Sequence, residues 1–164
     1  MNALFKKLNF KNHREILVVN HPDSFNKEIE EMSSETSFLF DIRQAKEIHF
    51  AMIFVKKKSE TDESMALLSK KLSGDAVIWF CYPKGTSKKY SCDFNRDTGW
   101  AALGENGLEP VRMVSIDDDW SALRFRKVEY IKNMSRNENT TLTKEGKLKA
   151  TKDRGQDFNY NYPA

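Results

Sequence analysis

Cysteine is scarce in this chain: its 164 residues include two, Cys81 and Cys92. The first falls in an apolar run and the second in a polar loop, so a disulfide framework is not the basis of the fold. Long apolar runs are missing too. The most apolar segments, 50–55 and 76–82, fall far short of the roughly 20 residues that cross a bilayer, and no membrane role is expected. The first residues, MNALFKKLNFKNHRE, have neither a continuous apolar core nor a small-residue cleavage site, which predicts a cytoplasmic protein.

Glycine is also sparse, and its distribution excludes two nucleotide chemistries. A phosphate loop of the form G-x-x-x-x-G-K-[ST] needs two glycines and a lysine directly before the hydroxyl residue; in PKGTSKK, Gly85 stands alone and the lysines are placed differently. The first strand ends in Asn20-His21-Pro22 rather than a glycine-rich turn, and Pro22 obstructs the approach of a dinucleotide pyrophosphate. Nucleotide hydrolysis and a conventional NAD site are therefore set aside. An excess of one charge is absent as well: 27 basic against 24 acidic residues leave a formal charge of +3. The basic residues are interleaved with acidic ones, so nucleic acid is not expected as a main partner.

What is present suits one α/β domain. Apolar residues make up 39% and aromatics 12% of the chain, enough for a packed interior at this length. Residues 1–132 read as a single Rossmann-like domain, and 133–164, rich in Asn, Thr, Lys, Asp and Gly, as a flexible polar tail. Leu4, Phe5 and Leu8 suit one face of a short helix. EILVVN (15–20) reads as a strand, and Pro22 with Asp23 or Ser24 as the start of a helix reaching Met32. Strands follow at 37–42 and 48–55. Ser59 or Thr61 should cap a helix carrying Met65, Leu68 and Leu72, and Gly74 should end it.

The chain is organised around DAVIWFCYPKGTSKKYSCDFNR (75–96). Its apolar half is a strand buried on both faces, and its basic, hydroxyl-rich half sits where open α/β sheets place ligands. A third helix is expected to open at Asp93 or Asn95, and two last strands, 111–116 and 122–131, to form an antiparallel hairpin. The resulting expectation is a three-layer, mostly parallel sheet of about six strands. The strands ending at Asn20, Ile42, Val55, Tyr82 and Ile116 should then share one rim.

On that rim, Lys84, Lys88 and Lys89 offer charge, Thr86 and Ser87 offer hydroxyls, and Gly85 lets a backbone amide approach a ligand. With Arg96 and the following helix start they form a candidate anion site, which His21, Asp117 and Trp120 should join. The alternative for the loop is a solvated crossover. Asp117, Asp118 and Asp119 could hold a hard cation, but consecutive aspartates in a hairpin more often satisfy turn amides. Trp120 reads as a cover at the sheet edge or a surface for a planar ligand. His21 beside Asp23 and Ser24 lacks a third member for nucleophilic catalysis, and Arg124 and Arg126 suit surface pairs. No catalytic residue and no metal site is assigned.

WFCYPKGTS, NRDTGW and GLEPVRMVSIDDDWSALRFR together resemble a family of small, functionally uncharacterised bacterial proteins with a Trp-x-x-Tyr-Pro-Lys, Arg-Asp-x-Gly-Trp and Trp-Ser-x-Leu-Arg-Phe-Arg pattern. The order of elements also resembles the latter half of class I methyltransferases. That resemblance implies a cofactor loop after the first strand, here NHPDS without glycines, and an acidic ribose ligand at the end of the second, for which Asp41 is the candidate. The leading expectation is an accessory protein binding an anionic small molecule or partner at the rim, with the cofactor and oligomeric state left open. The alternative is an altered S-adenosylmethionine-dependent enzyme. The third is weak, salt-sensitive nucleic-acid association through Lys56, Lys57, Lys58 and the loop lysines.

Overall fold

The computed structural model describes residues 2–94 and 98–131. Arg96 and the expected tail, 133–164, lie outside them. In chain order the elements are α1 (Ala3–Lys7), β1 (Glu15–Val19), α2 (Asn26–Met32), β2 (Ser37–Leu39), β3 (Ile48–Phe54), α3 (Lys58–Leu68), β4 (Leu72–Pro83), α4 (Ala101–Glu105), β5 (Leu108–Ser115) and β6 (Trp120–Lys127). Single 3-10 turns occupy Asp23–Phe25, Ile42–Gln44 and Val128–Tyr130.

The six strands form one sheet in the order β2-β1-β3-β4-β6-β5. β1 pairs in parallel with β2 and β3, and β3 with β4, whereas β6 runs antiparallel to both β4 and β5. The rim and the hairpin therefore stand as expected, and β4 lies in the interior of the sheet. Its period-two alternation feeds two cores. Ile78, Phe80 and Tyr82 face Met65, Leu68 and Leu103 from α3 and α4. Val77, Trp79 and Cys81 face Phe5, Leu8, Phe25 and Met32 from the N-terminal segments. The architecture is three-layered and Rossmann-like. Trp79, fully buried, donates its indole Nε1–H to the Leu8 carbonyl at 2.9 Å, tying the N-terminal segment to the sheet.

Several local expectations need correction. Neither Asp23 nor Ser24 caps a helix through its side chain; Pro22 leads into a 3-10 turn before α2 starts. β2 stops at Leu39 because Ile42 enters a 3-10 turn capped by the Asp41 carboxylate, which accepts from the Arg43 amide at 2.9 Å. α3 is capped not by Ser59 or Thr61 but by Glu60, whose Oε1 accepts from the Lys56 and Lys57 amides at 2.8 and 2.9 Å. It ends at Leu68, and Leu72 already belongs to β4.

Gly74 is not a helix stop. It lies inside β4 with φ +56°, where pairing to β3 jumps from Ile48–Leu72 to Phe50–Val77. The expected third helix shortens to α4, because Asp93 is used elsewhere and Gly99 takes φ +85°. Asp93 accepts from the Lys58 amide at 2.8 Å and donates its own amide to the Lys56 carbonyl at 3.2 Å.

Candidate functional site

The loop after β4 is fixed to the β5–β6 turn. The Lys84 amide donates to the Asp119 carbonyl at 2.8 Å, and the Ser87 hydroxyl donates to Asp119 Oδ1 at 2.8 Å. Lys84 Nζ reaches the Ser115 hydroxyl at 2.6 Å. Ser87 Oγ also accepts from the Lys89 and Tyr90 amides, at 3.3 and 3.1 Å, which curls the chain back on itself. Thr86 and Lys88 stay exposed. Loop and turn thus converge, but Ser87 is occupied by a carboxylate and Lys84 by a neutral hydroxyl. The helix start that was to contribute free amides lies further on, at Ala101.

Asp117 acts as the turn residue that consecutive aspartates suggest. Its Oδ1 accepts from the Asp119 and Trp120 amides, both at 2.8 Å. No group of three or more metal-ligating side chains occurs among the described residues. Trp120 is neither at an edge nor open to a ligand: β6 is an interior strand, and the residue is 2% exposed. Its ring lies 5.2 Å from that of Phe54 and 5.1 Å from that of Tyr90. Lys56 Nζ sits 5.7 Å from the Tyr90 ring centre, a cation over an aromatic face. Arg96 lies outside the described residues.

His21 belongs to a different part of the rim, after β1. Its Nε2 lies 2.8 Å from Asn26 Oδ1, and its ring lies 5.5 Å from Phe40. Phe40 stacks on Phe38 with an interplanar angle of 12° and leaves 49% of its surface exposed. Asp41 follows at once, also exposed. Asn20 closes β1 at φ +58°, a left-handed turn that asparagine tolerates better than most residues. Asn20, His21, Phe40 and Asp41 therefore occupy adjacent strand ends. His21 and Asp41 stand out in the sequence by residue type, whereas Asn20 and Phe40 do not, because Phe40 reads there as part of a strand over 37–42 that in fact stops at Leu39.

Neither cysteine is activated. Burial raises the Cys81 thiol well above its usual range, and burial also raises that of Cys92. Arg126 forms the surface pair foreseen for it, donating from Nε and Nη2 to Asp75 at 2.9 and 2.6 Å. Arg124 does not: its Nε is buried with no hydrogen-bond partner, and burial lowers its pKa.

No family model and no curated protein matches the chain. Solved structures do match. The chain is similar to pyocyanin biosynthetic protein PhzM, with TM-score 0.47, 10% identity, 74% of this chain and 52% of that one; it spans about half of PhzM. It is similar to N-methyltransferase NodS from Bradyrhizobium japonicum WM9 in complex with S-adenosyl-L-homocysteine, with TM-score 0.48, 17% identity, 76% of this chain and 72% of that one. A SAM-dependent methyltransferase from Aquifex aeolicus aligns with TM-score 0.50 at 10% identity, covering 76% of this chain and 87% of that one. The described residues have the α/β, Rossmann-like methyltransferase fold.

Proposed function

We propose that the protein is an altered methyltransferase-type enzyme that takes S-adenosylmethionine at the carboxyl ends of β1 and β2. The observation that carries this reading is the sheet order with its reversed final strand, together with the alignment to a SAM-dependent methyltransferase over 87% of that chain's length. The local chemistry suits the adenosyl half of the cofactor. Phe40 offers a half-exposed aromatic face, and Asp41 commits one carboxylate oxygen to the Arg43 amide while remaining exposed. A carboxylate beside an aromatic face matches a ribose diol next to a purine.

The other half is altered. Asn20 supplies the left-handed turn that glycine supplies elsewhere, and Pro22 removes one amide from the loop. Bound S-adenosylmethionine would supply an electrophilic methyl group. Asp41, Phe40 and Asn20 would hold and orient it. Calorimetry with S-adenosylmethionine and S-adenosylhomocysteine tests the reading: binding should weaken about tenfold in Asp41→Ala and in Phe40→Ala. Absence of heat at millimolar ligand overturns it.

A second reading, an accessory protein taking an anionic small molecule at the loop after β4, draws on the lysines there and on Lys56 over Tyr90. Thermal-shift titration with phosphorylated metabolites distinguishes it. A response that persists undiminished in Lys84→Ala with Lys88→Ala removes that loop as the site.

A further inference from the structure

Residues 8–14 run from β5 and β4 across to β2 as a strap, tied to a different element at each point. The Trp79 indole, on β4, donates to the Leu8 carbonyl at 2.9 Å, and Arg112 Nη1, on β5, donates to Asn9 Oδ1 at 2.9 Å. At the other end the Thr36 hydroxyl donates to the His13 carbonyl at 2.8 Å, and the Ser37 amide, which opens β2, donates to the Arg14 carbonyl at 3.1 Å. Between these ends the chain turns through two left-handed asparagines, Asn9 at φ +68° and Asn12 at φ +56°. Residues 11–13 belong to no helix or strand, so no ladder fixes the middle of the strap.

A single side-chain bond closes that middle: His13 Nδ1 accepts from the Lys11 amide at 3.1 Å. An amide N–H can only donate, so Nδ1 keeps its lone pair and the proton of the neutral ring sits on Nε2. Among the bonds of the strap, this one alone has an acceptor that titrates between pH 5 and 8. A proton on Nδ1 takes the lone pair, and the Lys11 amide loses its acceptor.

The surroundings house the neutral ring better than the charged one. The ring is half-buried, with those of Phe10 and Phe50 at 5.8 and 5.1 Å. It lines a groove of about 390 Å³ together with Lys11, Arg14, Glu15, Glu47, His49 and Asp75. None of the three acids is placed to pair with it. Asp75 is bonded to Arg126, Glu47 lies 3.6 Å from His49, and Glu15, like Lys11 and Arg14, is exposed and screened by water. Burial opposes a charge on His13, and so do His49 from β3 and Arg124 from β6. Lifting the strap into water removes all three penalties at once.

We infer that the strap is a pH-responsive latch: neutral His13 holds it closed over the sheet, and a proton on Nδ1 releases it while the sheet stays folded. Native-state hydrogen exchange in graded urea tests this at the Lys11 amide and the Trp79 indole N–H, with rates corrected for the chemistry of exchange at each pH. At pH 7 both sites should exchange through an opening that urea barely accelerates, whereas Ile53 and Leu123 wait for the whole sheet to unfold. At pH 5.5 the small opening should be at least about threefold more populated. His13→Asn, whose Oδ1 can accept from the same amide without titrating, should abolish that response. His49→Gln leaves the latch in place and removes one neighbouring charge, so it should keep the response and move its midpoint to higher pH. An opening at Lys11 and Trp79 that follows urea as steeply as that of Ile53 overturns the inference, as does a pH response that survives in His13→Asn. No cofactor enters the measurement, so its outcome is independent of the methyltransferase reading.

Discussion

Burial, with the charges of His49 and Arg124 nearby, lowers the His13 pKa from 6.5, and the rings of Phe10 and Phe50 lie 5.8 and 5.1 Å from its own. The unfolded chain then binds a proton near pH 6.5 while the folded chain binds it only at lower pH. Between those values the unfolded state holds more protons, so stability rises with pH. The contribution is fully present above 6.5 and is lost as pH falls through the folded value. His13→Gln should therefore lose less stability than the parent when urea denaturation at pH 7 is compared with the same measurement at pH 5.5; equal losses would contradict this. Asp75 acts in the same sense at lower pH, because the Arg126 hydrogen bonds hold its carboxyl below 3.8. Gly99 is a second test at this scale. A Cβ there would stand 2.6 Å from Phe94 Cγ, at a φ of +85° that disfavours any side chain. Gly99→Ala should cost about 1–3 kcal/mol in the same denaturation assay. Neither residue was legible beforehand: His13 precedes a strand with nothing beside it to mark it, and the ring facing Gly99 comes from a turn that reads as helix.

Elements with a continuous apolar signal were legible, and those whose ends are set by distant side chains were not. Ile48–Phe54 and the run at 76–82 announce themselves as buried strands, and the final hairpin by its alternation. The start of α3 does not, because the amides just before it, of Lys56 and Lys57, donate to Glu60, and its own first amide, of Lys58, donates to Asp93 from another loop. Glu60→Ala removes one acceptor from two amides and should lower stability by about 1 kcal/mol, read as an earlier thermal midpoint. Asp93 also explains the missing long helix: its carboxylate serves α3 rather than opening a helix of its own. The candidate site divided the same way. That the loop after β4 meets the Asp117 turn was legible from topology, but the bond from Ser87 to Asp119, which turns a would-be anion ligand inward, depends on geometry that spacing does not encode.

Across the whole molecule, the sheet order places β4 between a parallel and an antiparallel neighbour, with both faces covered. At one edge, β2 has three residues and β1 as its one strand neighbour, and its Phe38, like Phe40 just beyond it, is incompletely covered. Local opening should follow that gradient, because segments with few buried contacts and exposed hydrogen bonds open below the global free energy. Native-state hydrogen exchange should find the slowest amides in Ile53, Ile78, Phe80 and Leu123, exchanging only through global unfolding. Those of Phe38 and Leu39 should exchange through a smaller opening that urea barely accelerates. The consequence reaches the proposed cofactor site, since Phe40 and Asp41 hang from this same edge. If S-adenosylmethionine binds there, its saturation should slow exchange at Phe38 and Leu39 more than at any central strand. Uniform protection by S-adenosylmethionine would mean that β2 opens only with the whole sheet, and would remove the edge as a separately mobile part of the site.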